Sequence, residues 1–327
     1  MSIRTNKRIK KIILAFFFLI IFFMSSLEMG LAAPKAYDVN LNKGTSTFVV
    51  NKYDEEDWEE NVNEELEPDD FFGGDSDEVG AKSRITIRNV GDYREDMFDI
   101  LVSVFNILDI LDSAETLSVN DTLILMGLLD EKSIDLLFPD KYEAWESIAV
   151  RWDYESDQFD EEPDEDDLII PIFKDPSDFK EILENYNEWA LYTNATLLSL
   201  GLKPFPLLNG DEFIWQLLKE GRLIIASPFK TYLNEVIDEL ECRDVEVREE
   251  GLMIEKEGEE DYKIVVRFNQ QGIVSELIVK DIKDRIIYEI VEDTSDVVFL
   301  IVAGIVIASL TAVIIVIIRR RIEKTKE

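Results

Sequence analysis

Between Asp244 and Glu292 apolar and polar residues alternate with a period of two, in the runs DVEVREEG, LMIEKEGEE, DYKIVVRF, GIVSELIVKD and DRIIYEIVE. Glycines, Asn269-Gln270-Gln271 and the stretch from Lys280 to Lys283 separate these runs. That pattern predicts an antiparallel meander with one buried and one wet face. Ile264, Val266 and Phe268 belong to the buried set in one register, Val265 and Val274 in the other. Upstream the period becomes helical. Asp175-Pro176 supplies a cap and a first-turn proline, and Phe179, Ile182, Leu183, Tyr186, Trp189, Ala190 and Thr193 follow at helical spacing until Gly201. A second helix is predicted from Ser227-Pro228, with Phe229, Tyr232, Leu233, Val236, Ile237 and Leu240 on one face, and a short helical turn from Phe213 to Leu218 lies between.

Nearer the N-terminus, Thr45 to Tyr53 and Lys82 to Val90 alternate like strands. The intervening Asp54 to Glu78 holds fourteen acidic residues and no base, which predicts a long solvated connection over 54–78. Asp96 to Leu111 fits both periods. Its Val and Ile residues, and the turn at Gly91-Asp92, favour a strand at least to Val104. Thr122 to Phe138 is helical in pattern, weakened by Gly127. The expected fold is α+β, a curved antiparallel β-sheet packed by amphipathic helices, with a β-rich N-terminal region (34–95) ahead of the main α+β part (96–296).

Two apolar runs add a location to this picture. Arg4, Lys7, Arg8, Lys10 and Lys11 precede an apolar stretch from Ile12 to Met24, and Gly30, Ala32 and Ala33 follow, the plan of a signal peptide over residues 1–33. Val297 to Ile318 is 22 uncharged residues, enough for one C-terminal transmembrane helix. Arg319, Arg320 and Arg321 come next, so the positive-inside rule places residues 319–327 in the cytoplasm and the bulk of the chain outside. Gly304, Ala308 and Ala312 recur every four residues along one face of that span, a small-residue stripe suited to a homodimer.

Charge and composition narrow the function. Residues 34–296 hold 24 basic and 67 acidic residues, a net charge of −43. That field opposes nucleic acid and favours a basic protein or a cation-bridged partner. Histidine is absent from the sequence, which removes Ser-His-Asp and Cys-His catalysis and histidine-ligated zinc. The single cysteine, Cys242, leaves no intrachain disulfide, and its expected role is packing. No phosphate-binding or dinucleotide glycine motif occurs. Ile110-Leu111-Asp112-Ser113-Ala114 resembles the catalytic turn of aspartic proteases over five residues, with no second copy.

The densest acidic run is Asp153 to Asp167. Asp153, Glu155, Asp157, Glu161 and Asp164 fall at calcium-loop positions, but Gln158 stands where the sharp turn wants glycine and Asp164 where the bidentate Glu belongs. A solvated loop, with at most weak calcium binding, is the expectation, and no other cofactor is called for. Asn120 and Asn194 match the N-glycosylation acceptor pattern. Trp189 and Trp215 are the large side chains of the helical layer best placed to line a groove for an apolar ligand. The sequence thus predicts a membrane-anchored, extracytoplasmic binding or surface-structural protein. The alternatives are a membrane-tethered, carboxylate-dependent glycosidase-like hydrolase and a receptor subunit acting through a membrane partner.

Overall fold

The computed structural model describes residues 37–293, apart from 109, 111–116, 161 and 250. Its strands are β1 (Gly44–Tyr53), β2 (Lys82–Asp96), β3 (Lys141–Glu155), β4 (Glu165–Phe173), β5 (Val245–Arg248), β6 (Gly251–Glu257), β7 (Asp261–Phe268), β8 (Val274–Asp281) and β9 (Ile286–Glu292). They form one curled, nine-stranded sheet in the order β4-β3-β2-β1-β9-β8-β7-β6-β5, antiparallel at every step. Two meanders therefore run outward from a seam where the first strand meets the last. β1 and β2 lie in the same sheet as the C-terminal meander.

The seam forms because its partners are apolar on the inner face. Val50 pairs with Ile290 and Tyr53 with Tyr288. From Val50 a row of buried side chains crosses the sheet through Ile290, Leu277, Val266 and Leu252 to the half-buried Val247. A parallel row joins Tyr288, Val279, Ile264, Ile254 and Val245. Ile264 and Val266 are thus inside and Val265 is on the opposite face. Register shifts at Val50/Lys52 and Ile87/Asn89 put bulges into the central strands, which bend them and add curl.

Helices α1 (Glu55–Asn61) and α2 (Pro68–Phe72) fill the β1–β2 connection. α3 (Met97–Ser103), α4 (Val119–Leu128) and α5 (Glu131–Leu137) fill the β2–β3 connection. α6 (Asp178–Ser199), α7 (Gly210–Lys219) and α8 (Phe229–Glu239) lie between β4 and β5. The stripe read from the sequence of α6 is its buried face, from Phe179 through Thr193. α8 buries Tyr232, Leu233, Val236 and Ile237 against β5 and β6, and the Tyr232 hydroxyl donates to the Phe173 carbonyl at 2.7 Å.

Three expectations are corrected. The strand expected from Asp96 to Val104 is helix α3. Asp96 turns β2 into it by capping the Asp99 N–H at 3.1 Å, and a cap of that kind outweighs the strand preference of Val and Ile. The segment 54–78 is a docked pair of short helices, with Trp58 2% exposed and Ser76 fully buried. The acidic run 153–167 is a loop only in part: the described residues of 156–164 make the largely exposed turn of a β-hairpin, while its ends, Asp153–Glu155 and Glu165–Asp167, belong to β3 and β4. Cross-strand pairing with β2 on one side overrode its charge. Among the described residues no helix is long and apolar enough to cross a membrane. The expected signal peptide 1–33, span 297–318 and tail 319–327 lie outside the described residues.

Candidate functional site: an apolar hollow with an ionic rim

The curl of the sheet leaves a cavity of about 110 Å³ between its inner face and the chain that follows α7. Phe48 of β1, Ile85 of β2, Leu277 of β8 and Ile290 of β9 form one wall, and Leu223 and Ile224 face them. Each strand residue is placed there by period-two alternation. Phe72, at the end of α2, closes one side and stacks on Tyr288 with ring centroids 5.6 Å apart and planes within 1°. Gly73 and Gly74, both at positive φ, make the turn that delivers it. A Cβ on Gly74 would lie 2.2 Å from the Tyr154 carbonyl oxygen, so the backbone passes β3 where no side chain fits.

At the rim the apolar lining gives way to charge. Arg151 donates to the Glu220 carbonyl at 2.8 Å. Its Nε lies 3.2 Å from Asp153 Oδ1 and its Nη2 3.3 Å from Glu165 Oε1. Arg222, only 6% exposed, places Nη2 3.8 Å from the same Glu165 oxygen and donates to the Ser103 carbonyl. Two guanidinium groups thus face two carboxylates. Burial pushes the Asp153 carboxyl above the ordinary range, Arg151 pulls it down, and Asp164 and Glu165 push it up again. Oε2 of Glu165 is buried without a hydrogen-bond partner among the described residues. Pairs of this kind hold only while both partners are present.

The residues nominated from sequence are dispersed around this site. Asp153 is on the rim. Asp164 closes the β3–β4 hairpin by accepting from the Asp153 N–H at 2.8 Å, and Asp157 is exposed in the turn. Glu155 ends β3 opposite Lys82, and Glu161 lies outside the described residues. Among the described residues no group of three or more His, Cys, Asp or Glu is arranged to hold a metal ion. Trp189 is 1% exposed and packs on Phe205 at 4.8 Å. Trp215 is half-buried beside Phe71 and Phe72 at 6.4 Å, with the Lys256 ammonium 5.5 Å from its ring. Neither lines the cavity, although Trp215 touches Phe72, which does. Asn120 is exposed on α4. Asn194 exchanges two hydrogen bonds with the Phe205 backbone, at 2.9 and 2.8 Å. Burial raises the Cys242 thiol to about 12. Asp112 and Ser113, and the stripe Gly304, Ala308 and Ala312, lie outside the described residues.

Sequence reasoning missed Arg151 and Arg222. The one signal was a lone arginine two residues ahead of the acidic run. It also could not single out Glu95, which is 2% exposed and raised to about 7 by burial and by Asp99, Glu146 and Asp96. Burial and Asp96 likewise raise Asp99 to about 6. No protein-family model, curated protein or solved structure matches this chain.

Proposed function

We propose that this protein is a single-pass, membrane-anchored extracytoplasmic binding protein. Residues 1–33 direct export, residues 297–318 hold the chain in the cell membrane with its C-terminus in the cytoplasm, and residues 34–296 offer the hollow of the sheet to a ligand. The observation that carries the binding role is the apolar cavity beside the Arg151–Asp153 pair. An apolar group seated there leaves water, at roughly 25 cal/mol per Å² of apolar surface buried. The volume is below the roughly 150 Å³ that admits benzene. The fitting group is therefore one aliphatic side chain of a peptide or the end of an amphiphile, with its polar part at the charged rim.

The full chain in nanodiscs is the material for the test. A panel of peptides and short amphiphiles ending in an aliphatic group should contain members that raise its melting temperature with concentration, by about 2.7 kcal/mol of stability at a hundredfold excess over Kd. Trp215 fluorescence should change with binding, through Phe72. Val274→Phe, which fills the cavity from the start of β8, should remove the response while leaving the melting temperature of the unliganded protein near its parent value. A response that persists in Val274→Phe would place the ligand elsewhere, and no response across the panel would leave a surface-structural role resting on the −43 net charge.

The topology has its own check. Protease added to intact cells should digest residues 34–296 and spare a small C-terminal fragment. A tag after Glu327 that antibodies reach from outside would reverse the orientation. The hydrolase alternative draws on the raised carboxyls of Glu95 and Asp99, but Glu95, near the end of β2 and paired with Tyr142 of β3, is only 2% exposed, where a glycosidic oxygen has no approach.

A further inference from the structure

Three charged residues line the hollow, Arg151, Asp153 and Lys219, and they are not equally occupied. Arg151 is fully engaged, with the Glu220 carbonyl, Asp153 and Glu165 as its partners. Asp153, whose side chain is 30% exposed, meets Arg151 through Oδ1 at 3.2 Å. Its other oxygen, Oδ2, lies beside Gly73, where a Cβ would sit 3.2 Å from it, so the glycine leaves that oxygen uncovered. Lys219 is the last residue of α7. Its side chain is 28% exposed, and its nearest carboxylate, Glu220, is 4.0 Å away, the outer limit of an ion pair. The mouth of the hollow thus holds one lightly paired ammonium and one open carboxylate oxygen.

These two groups select among apolar ligands by their polar ends. A carboxylate suits Lys219, but a purely anionic amphiphile leaves Asp153 without a partner and is repelled by a domain of net charge −43. A purely cationic one suits Asp153, leaves Lys219 facing a like charge, and is drawn equally to the acidic surface elsewhere. A zwitterion answers both groups and carries no net charge into the field. Size narrows the apolar part. A space of about 110 Å³ takes a branched aliphatic side chain and falls short of the roughly 150 Å³ that admits a benzene ring.

We propose that the hollow takes a free aliphatic α-amino acid, with its branched side chain between Ile85, Leu277 and Ile290, its carboxylate on Lys219 and its ammonium on Asp153. This rests on reading the hollow as a ligand site and narrows the occupant to one class. A peptide terminus offers only half of the match. The C-terminal residue of a peptide keeps the carboxylate without the ammonium, and the N-terminal residue keeps the ammonium without the carboxylate.

The test is calorimetric titration of the full chain in nanodiscs with leucine, N-acetyl-leucine, leucinamide, 3-methylbutan-1-ol and phenylalanine. Leucine should bind. N-acetyl-leucine, which lacks the ammonium, and leucinamide, which lacks the carboxylate, should each bind at least about tenfold more weakly, and phenylalanine should not compete. Lys219→Met should cost leucine about the same factor and leave leucinamide unchanged, because the group it answers is already gone. The ligand series reads both charges in the parent protein, so the result stands even if the variant folds poorly. Equal binding of leucine and the alcohol would show that the hollow takes apolar groups without reading a zwitterion, which overturns this inference and keeps the binding role. N-acetyl-leucine or leucinamide as tight as leucine would overturn it in favour of a peptide C-terminus or N-terminus. No binding by any of the five, while a longer peptide or amphiphile raises the melting temperature, would do the same, and silence from every ligand would bring down both readings.

Discussion

Trp58→Ala is expected to destabilise the folded protein by about 3–5 kcal/mol and to open the acidic segment 54–78 to proteolysis. The ring is 2% exposed and makes edge contacts with Tyr53, Phe71 and Tyr288, at 6.1, 5.8 and 5.5 Å between centroids. Its Nε1–H donates to the Leu66 carbonyl at 2.8 Å. These contacts tie two helices with a heavy negative charge to the sheet. Without them, the mutual repulsion of fourteen carboxylates favours a solvated chain. Because Phe72 follows in the same segment and closes the hollow, the variant should also lose the ligand response. Limited proteolysis with an enzyme cleaving at Glu would read the opening as new cuts between Glu55 and Glu78. Unchanged cleavage and an unchanged denaturation midpoint would show that the aromatic cluster does not hold the segment.

The second large effect is one of pH. Glu95 is buried at the end of β2, its Oε1 has no hydrogen-bond partner among the described residues, and Asp99, Glu146 and Asp96 add like charge, so its carboxyl is raised to about 7. Between the ordinary glutamate value of about 4.3 and this folded value, the folded protein keeps a proton that the unfolded chain releases. Stability therefore falls as pH rises through that window. Glu95→Gln is expected to be more stable than the parent at pH 8, by on the order of 2 kcal/mol, and no more stable at pH 4. Asp178, raised to about 7 by burial and by Asp175, Glu181 and Glu143, contributes in the same direction, so part of the slope should survive. Denaturant midpoints from pH 4 to 8 measure this. Parallel profiles for the two proteins would show that Glu95 ionises as freely in the fold as outside it.

Both effects arise from placing carboxylates against apolar surface in a strongly acidic chain. The domain tolerates the charge because most of it points outward, while the inner face of the sheet is kept for rows such as Val50, Ile290, Leu277 and Val266. Exceptions include the Glu95–Asp99 corner, Asp281, which is 1% exposed and paired with Arg285 at 2.6 Å, and the Arg151–Glu165 rim, which borders the cavity. Arg151→Ala would leave Asp153 without its guanidinium partner and Glu165 with Arg222 alone, which is why the rim itself is a poor site for a functional substitution and Val274 a better one.

Local periodicity determined much of the architecture. Strands β5 to β9 lie where period-two alternation placed them, and α6 and α8 bury the stripes their spacing predicted, because each pattern reflects one half-buried element whose register a single-residue slip would invert. The two apolar runs and their basic flanks are likewise properties of the sequence alone. Tertiary structure decided the rest. That β1 pairs with β9 depends on matching Val50 with Ile290 and Tyr53 with Tyr288 across more than two hundred residues, and no window of sequence contains both. The choice of helix over strand after Asp96 turned on one side chain reaching one N–H. Asp153 and Glu165 became rim residues, not loop residues, because the hairpin brought them to Arg151 and the chain after α7 brought Arg222. Burial that comes from distant segments leaves no periodic trace, so the hollow, its ionic rim and the raised carboxyl of Glu95 emerge only once the sheet has closed over them.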